Sequence, residues 1–210
     1  MKLPSSILKI LNFFKKRKEV IFVDSDKKIP FVKSTLHKEK ILGLDTEFDW
    51  RNTYFPILSI LQIATKRKIF LIDCITLKDL NWLKKILESN KRLIIFHACR
   101  SDATVLKSNL SFHIAKSFDI QIAEKNINGG QIENYAALVK KYIHKSIDKS
   151  ETNSNWLRRP LSNSQIKYAS DDVNYLIEIY KFQTKILKKN NLLKKTFKES
   201  AKEAFLGNQT

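Results

Sequence analysis

Three apolar runs, at 41–47, 57–64 and 68–73, follow one another with little chain between them, and the first ends in two carboxylates, Asp45 and Glu47. Each run is rich in Ile, Leu or Phe and has the length of a strand. The links between them are close enough for antiparallel pairing, whereas a parallel pair needs a long crossover. Asp45 and Glu47 are two apart and leave the same side of their strand. Ile41, Leu42 and Leu44 place them at the end of a buried strand. Charge there is costly unless a cation compensates it.

The rest of the chain alternates differently. Leu80, Leu83, Ile86 and Leu87 have helical spacing over 77–89, and 92–97 is another apolar strand. A short helix is expected over 102–108. Two more are expected over 117–125 and 131–142, divided by the turn sequence Asn128-Gly129-Gly130. After a polar stretch at 143–160, Ser162-x-x-Gln165 has the form of a capping box for a long helix reaching about residue 188. A last helix covers 192–205. The pattern is that of an α/β domain with a mixed sheet flanked by helices, occupying 21–206 and preceded by a basic segment at 1–20. That segment reads as an amphipathic helix on the domain surface, with a nucleic-acid-binding arm as the alternative.

Composition narrows the partners. The 39 lysines and arginines outnumber the 21 acids, a net charge of +18. Such an excess suits a polyanion, nucleic acid before anionic membrane, although an AT-rich genome would also favour lysine, isoleucine and asparagine. Two cysteines, Cys74 and Cys99, make no disulfide framework, and both read as core or near-core residues. No run approaches transmembrane length, and the N-terminus lacks the form of a secretory signal. A cytoplasmic protein without a membrane partner is expected.

Three further residues complete a constellation. Asp102 falls at a helix start, where a carboxylate serves as a cap or as a ligand. Tyr168 and Asp172 are one helical turn apart and share a face, whereas Asp171 is rotated away from it. Converging carboxylates form a hard-oxygen site for divalent cations, the usual apparatus of two-metal phosphodiester hydrolysis. A phenol beside such a site can orient the attacking water. Asp73 and Asp119 are left out of the ligand set, Asp119 as the cap of the helix after Phe118.

Together these residues carry a family likeness. Leu44-Asp-Thr-Glu-Phe48, His97-Ala-x-x-x-Asp102 and Tyr168-Ala-x-x-Asp172 resemble, in order and spacing, the three motifs of the DEDD exonuclease superfamily in its tyrosine-bearing branch. Trp50-Arg-x-Thr-Tyr54-x-Pro56, Asp148-Lys-Ser-Glu151 and Asn155-Trp156-Leu-x-Arg159-Pro160-Leu161 extend the likeness, which is strongest to bacterial ribonuclease D. The resemblance implies a ribonuclease H-like fold and metal-dependent removal of nucleotides from RNA 3′ ends. Asp45, Glu47, Asp102 and Asp172 would be ligands of two Mg²⁺ or Mn²⁺ ions, and Tyr168 would position the attacking water. By the same likeness His97 contacts the terminal nucleotide or is a structural histidine. Lys149 and Arg159 hold phosphates or are merely solvated. Trp156 and Tyr54 stack on the terminal base or serve as core anchors. Single-stranded RNA 3′ ends are the expected partner. The alternatives are very short RNAs, DNA ends, or a catalytically inactive module that only binds nucleic acid. The chain stops soon after the third motif, so no helical accessory domain of the ribonuclease D kind is expected. The basic segment, 192–205 or a homo-oligomer would then supply the grip on RNA.

Overall fold

The computed structural model describes residues 18–51 and 53–209. Most of the basic segment, 1–17, lies outside the described residues, and its expected helix with it. The strands are β1 (Glu19–Val23), β2 (Ile41–Asp49), β3 (Ile57–Ala64), β4 (Lys68–Asp73), β5 (Leu93–Phe96) and β6 (Ser117–Asp119). The helices are α1 (Ile29–Lys38), α2 (Lys84–Leu87), α3 (Arg100–Leu110), α4 (Ile120–Ile127), α5 (Tyr135–Ile143), α6 (Asn163–Asn174), α7 (Leu176–Lys189) and α8 (Leu193–Gly207). One mixed sheet runs in the order β1-β4-β3-β2-β5-β6. Its middle is the antiparallel meander expected from the short links: β2 pairs with β3 and β3 with β4. The outer pairings β1–β4, β2–β5 and β5–β6 are parallel.

Alternation along β2 sorts the helices onto two faces. Leu42, Leu44 and Phe48 join a core with Val105 and Leu106 of α3. Ile41 joins a second core with Ala169 and Val173 of α6 and Leu176 of α7. Both faces of the sheet are covered, so β3 and β4 read as continuous apolar runs rather than alternating ones.

Several expected elements differ. The chain joins the sheet at Glu19, two residues before the expected boundary, because Val20–Val23 completes the edge beside β4. α1, with Pro30 in its first turn, lies in a stretch to which no element is assigned from the sequence. The helix expected over 77–89 shrinks to a 3-10 turn at Asn81–Leu83 and the four residues of α2. There the Asp73 carboxylate accepts the backbone N–H groups of Ile75 and Thr76, which favours a turn over a helix start. Ser117–Asp119 is a strand rather than the first turn of a helix, because it pairs with β5 under α8. The long helix expected from Ser162 begins with the anticipated capping box but breaks at Tyr175. The Tyr135 hydroxyl spans the break, donating to the Asp171 carbonyl at 3.2 Å and accepting the Tyr175 N–H at 3.1 Å. Lys18 caps the same break by donating to the Asn174 carbonyl, and pairs with Glu178.

Candidate active site

Asp45 and Glu47 sit within β2 and share the face covered by α6. Gly43, on that same face, lets the helices come close: a Cβ there would lie 3.1 Å from the Leu176 Cβ and 3.4 Å from the Val173 carbonyl oxygen. The close approach brings Asp172 of α6 onto the pair. Carboxylate oxygens of Asp45, Glu47 and Asp172 all lie within 4.8 Å of one another. Tyr168, one turn before Asp172, stands over the same group, and its hydroxyl is 3.1 Å from the Thr152 hydroxyl. A cavity of about 250 Å³ opens beside them, lined also by His97, Tyr135, Lys149 and Thr152.

Asp102 arrives from the other face. It lies in the first turn of α3, is 3% exposed, and accepts a 2.6 Å hydrogen bond from the Thr46 hydroxyl. It does not cap α3. Its oxygens fall outside the three-carboxylate group, although its charge acts on Asp45. The expected four-acid set is therefore a cluster of three, with the fourth acid adjoining Asp45 and held by Thr46.

The electrostatics follow from crowding like charges in a partly dry place. Burial first, then the charges of Asp102, Asp172 and Glu47, hold the Asp45 carboxyl well above its usual range. Burial and the charges of Asp172 and Asp102 push Glu47 up to about 9. Burial raises Asp102 and Asp172 each to about 7, with Asp171 adding to the rise at Asp172. Burial and the Asp172 charge raise the Tyr168 phenol above its ordinary value, so it keeps its proton. Carboxyls that resist ionising together at neutral pH are a donor set suited to a divalent cation, whose charge reverses that cost. Among the described residues no cysteine joins the group: Cys99 is buried beneath α8, and burial pushes the partly buried Cys74 up to about 12.

Other expected contacts are redistributed. His97 lines the cavity with its Nε2–H donating to the Glu133 carbonyl at 3.0 Å, and burial lowers its pKa. Lys149 lines it as well, and its charge favours the ionised form of Asp172. Arg159 is not a free phosphate clamp. Its guanidinium forks onto Asp73 at 2.7 and 2.8 Å and reaches the Trp156 carbonyl at 2.7 Å, which ties the 155–160 loop to the sheet. Trp156 is 2% exposed and packs 5.9 Å from the Tyr168 ring, so it supports the phenol from beneath rather than stacking on a base. Tyr54 is 92% exposed, next to Phe55 on the loop that follows β2. Asp119 caps α4, as expected. Sequence reading passed over Thr46, although it lies between the two motif acids. It also passed over Gly43, Tyr135 and Thr152, which no local pattern marks.

A family model described as a 3′-5′ exonuclease matches residues 20–188. The chain belongs to that 3′-5′ exonuclease family. It is 34% identical over 152 residues to ribonuclease D of Haemophilus influenzae, an alignment covering 72% of this chain and 38% of that protein. The chain spans less than half the length of the ribonuclease D proteins it matches here. The exonuclease domain superimposes on Escherichia coli RNase D, described as an exoribonuclease involved in structured RNA processing. That match has a TM-score of 0.86 at 25% identity, covering 91% of this chain and 51% of the other. Brucella melitensis NrnC shares the fold, with a TM-score of 0.75 at 22% identity over 91% of this chain and 90% of that one. The mixed sheet with helices on both faces is thus the ribonuclease H-like exonuclease fold. Among the described residues, no helix is long and apolar enough to cross a membrane.

Proposed function

We propose that this domain removes nucleotides from RNA 3′ ends by metal-dependent hydrolysis, with tRNA precursors and other small RNAs as substrates and the cytoplasm as its place of action. The observation that carries this reading is the convergence of Asp45, Glu47 and Asp172 beneath the Tyr168 phenol, beside a cavity that also takes in His97 and Lys149. These three acids, with Asp102 through Asp45, would hold two Mg²⁺ or Mn²⁺ ions. When bound, such ions supply Lewis acidity and charge neutralisation at a phosphodiester.

The remaining work falls to the chain's own groups. Water oxygen bonds to the terminal phosphorus, the bond from phosphorus to the 3′ oxygen breaks, and the shortened strand keeps that oxygen as a hydroxyl. The protonated Tyr168 orients the water by hydrogen bonding, and Thr152 holds the phenol in place. Lys149 offers a charge to the terminal phosphate, and His97 meets the terminal nucleotide. Exposed Trp50, Tyr54 and Phe55 provide faces on which the incoming strand stacks.

Asp45→Ala should lower hydrolysis of a 3′-labelled RNA by at least about 1000-fold while RNA binding is largely retained. Parental rates in that variant would remove the site. Parallel assays on a tailed tRNA, a dinucleotide and single-stranded DNA separate the RNA-trimming reading from the short-oligonucleotide and DNA alternatives. A parent that binds RNA but cuts none of the three would leave only a binding module.

A further inference from the structure

Asp119 is spent on more than the cap of α4. Its carboxylate is 1% exposed and takes four backbone N–H groups. Gln121 and Ile122, at the start of α4, donate to Oδ1 at 2.8 and 3.4 Å. Ala98 donates to the same oxygen at 3.1 Å, and Cys99 donates to Oδ2 at 2.8 Å. The last two belong to the turn between β5 and α3, a separate piece of chain. That turn is unfavourable by itself. Ala98 has φ of +61°, a left-handed conformation that a residue with a Cβ seldom adopts. α3 follows it without a side-chain cap of its own.

The turn separates two groups of the site. His97 precedes Ala98 and lines the cavity, and Asp102 follows in the first turn of α3. Asp119 is itself fixed from behind, its N–H donating to the Ser200 hydroxyl of α8 at 2.9 Å. We propose that Asp119 is a positioning residue for catalysis: by clamping the turn at Ala98 and Cys99 to the start of α4, it sets where His97 and Asp102 stand relative to Asp45. This inference rests on the exonuclease reading of the site. A plain helix cap would need only the contacts to Gln121 and Ile122, and the second oxygen would be unnecessary.

Two variants of the full chain separate the roles. Asp119→Asn keeps the shape but turns an amide N–H₂ toward a backbone donor. Asp119→Ser keeps an oxygen able to cap α4 but cannot span both segments. Both should remain folded by circular dichroism. In each, kcat on a 3′-labelled RNA should fall about 10–100-fold with KM within about threefold, and half-saturation by Mn²⁺ should move about 10-fold higher. A parental kcat and Mn²⁺ requirement, whatever happens to the melting temperature, would overturn the proposal. So would a rate loss matched by the unfolded fraction in both variants. If the parent cuts no RNA, the exonuclease reading falls separately, and Mn²⁺ binding by calorimetry decides. A shift in both variants sustains the clamp, and an unshifted titration rejects it.

Discussion

Asp172 and Asp102 approach Asp45 from opposite faces of the same sheet and are held in opposite ways. Asp172 rides on α6, reaches the cavity, and depends on a close approach allowed by the missing side chain of Gly43. Asp102 is buried at the start of α3 and is fixed by a short hydrogen bond from Thr46. One face presents a carboxylate to incoming ligands, and the other backs the site with a carboxylate locked in the protein. A motif of equivalent acids can thus be built from groups with unequal freedom. Thr46 and Asp45 are neighbours on one strand, yet alternation sends one to each face.

The open face should be the more sensitive to substitution. Asp172→Asn should reduce hydrolysis at least about 1000-fold, measured as single-turnover release from a labelled 3′ end. A loss below tenfold would mean that Asp172 is not a working ligand. Tyr168→Phe removes only the hydroxyl and should cost about 100-fold in kcat with KM little changed. An unchanged kcat would leave the phenol as packing against Trp156.

The acids also make a stability prediction. A carboxyl whose folded pKa is raised holds its proton longer in the folded state than in the unfolded one. Its stabilising contribution is therefore full below the unfolded value and is lost as pH rises through the folded value. For Glu47 that window runs from 4.5 to about 9, and for Asp102 and Asp172 from 3.8 to about 7. The metal-free protein should melt at progressively lower temperature between pH 5 and 9. Saturating Mn²⁺ should restore much of the loss at pH 8, and metal-free Glu47→Gln should melt above the parent there. A melting temperature that stays flat from pH 5 to 9 without metal would contradict the crowding of charge at Asp45, Glu47, Asp102 and Asp172.

The smallest effects sharpen the contrast between faces. Thr46→Val deletes the donor to Asp102 at nearly constant volume and should lower kcat about tenfold, because a buried acceptor loses its partner. Gly43→Ala should cost about two- to fivefold, since the new methyl would press on the Leu176 Cβ at 3.1 Å, which gives way only if α7 moves by a few tenths of an ångström. If Gly43→Ala proves the more damaging, the open face is the more tightly specified of the two.

Much of the site was legible because its parts are local patterns. Period 2 put Asp45 and Glu47 on one side of β2, and period 3.6 put Tyr168 and Asp172 on one side of α6. The short links likewise predicted the antiparallel meander. Illegible elements depended on distant partners. β1 is a strand because β4 is beside it, β6 because β5 and α8 enclose it, and the helix from Ser162 breaks where Tyr135 and Lys18 satisfy the freed backbone groups. Arg159, open from the sequence to a phosphate contact or to solvent, is instead paired with Asp73, far away in sequence.

Local spacings alone settle which chemistry the chain can attempt: the acids, the phenol and their order are written in intervals that backbone geometry turns into shared faces. Which acids meet depended on packing between elements. It seated Asp172 against the strand pair, turned Asp102 toward Thr46, tied Arg159 to Asp73 and buried Trp156 against Tyr168. The physical reason is that strand and helix periods fix directions within one element. Distances between elements are set by packing volume and by the need to satisfy each buried polar group, and both involve residues scattered along the whole chain.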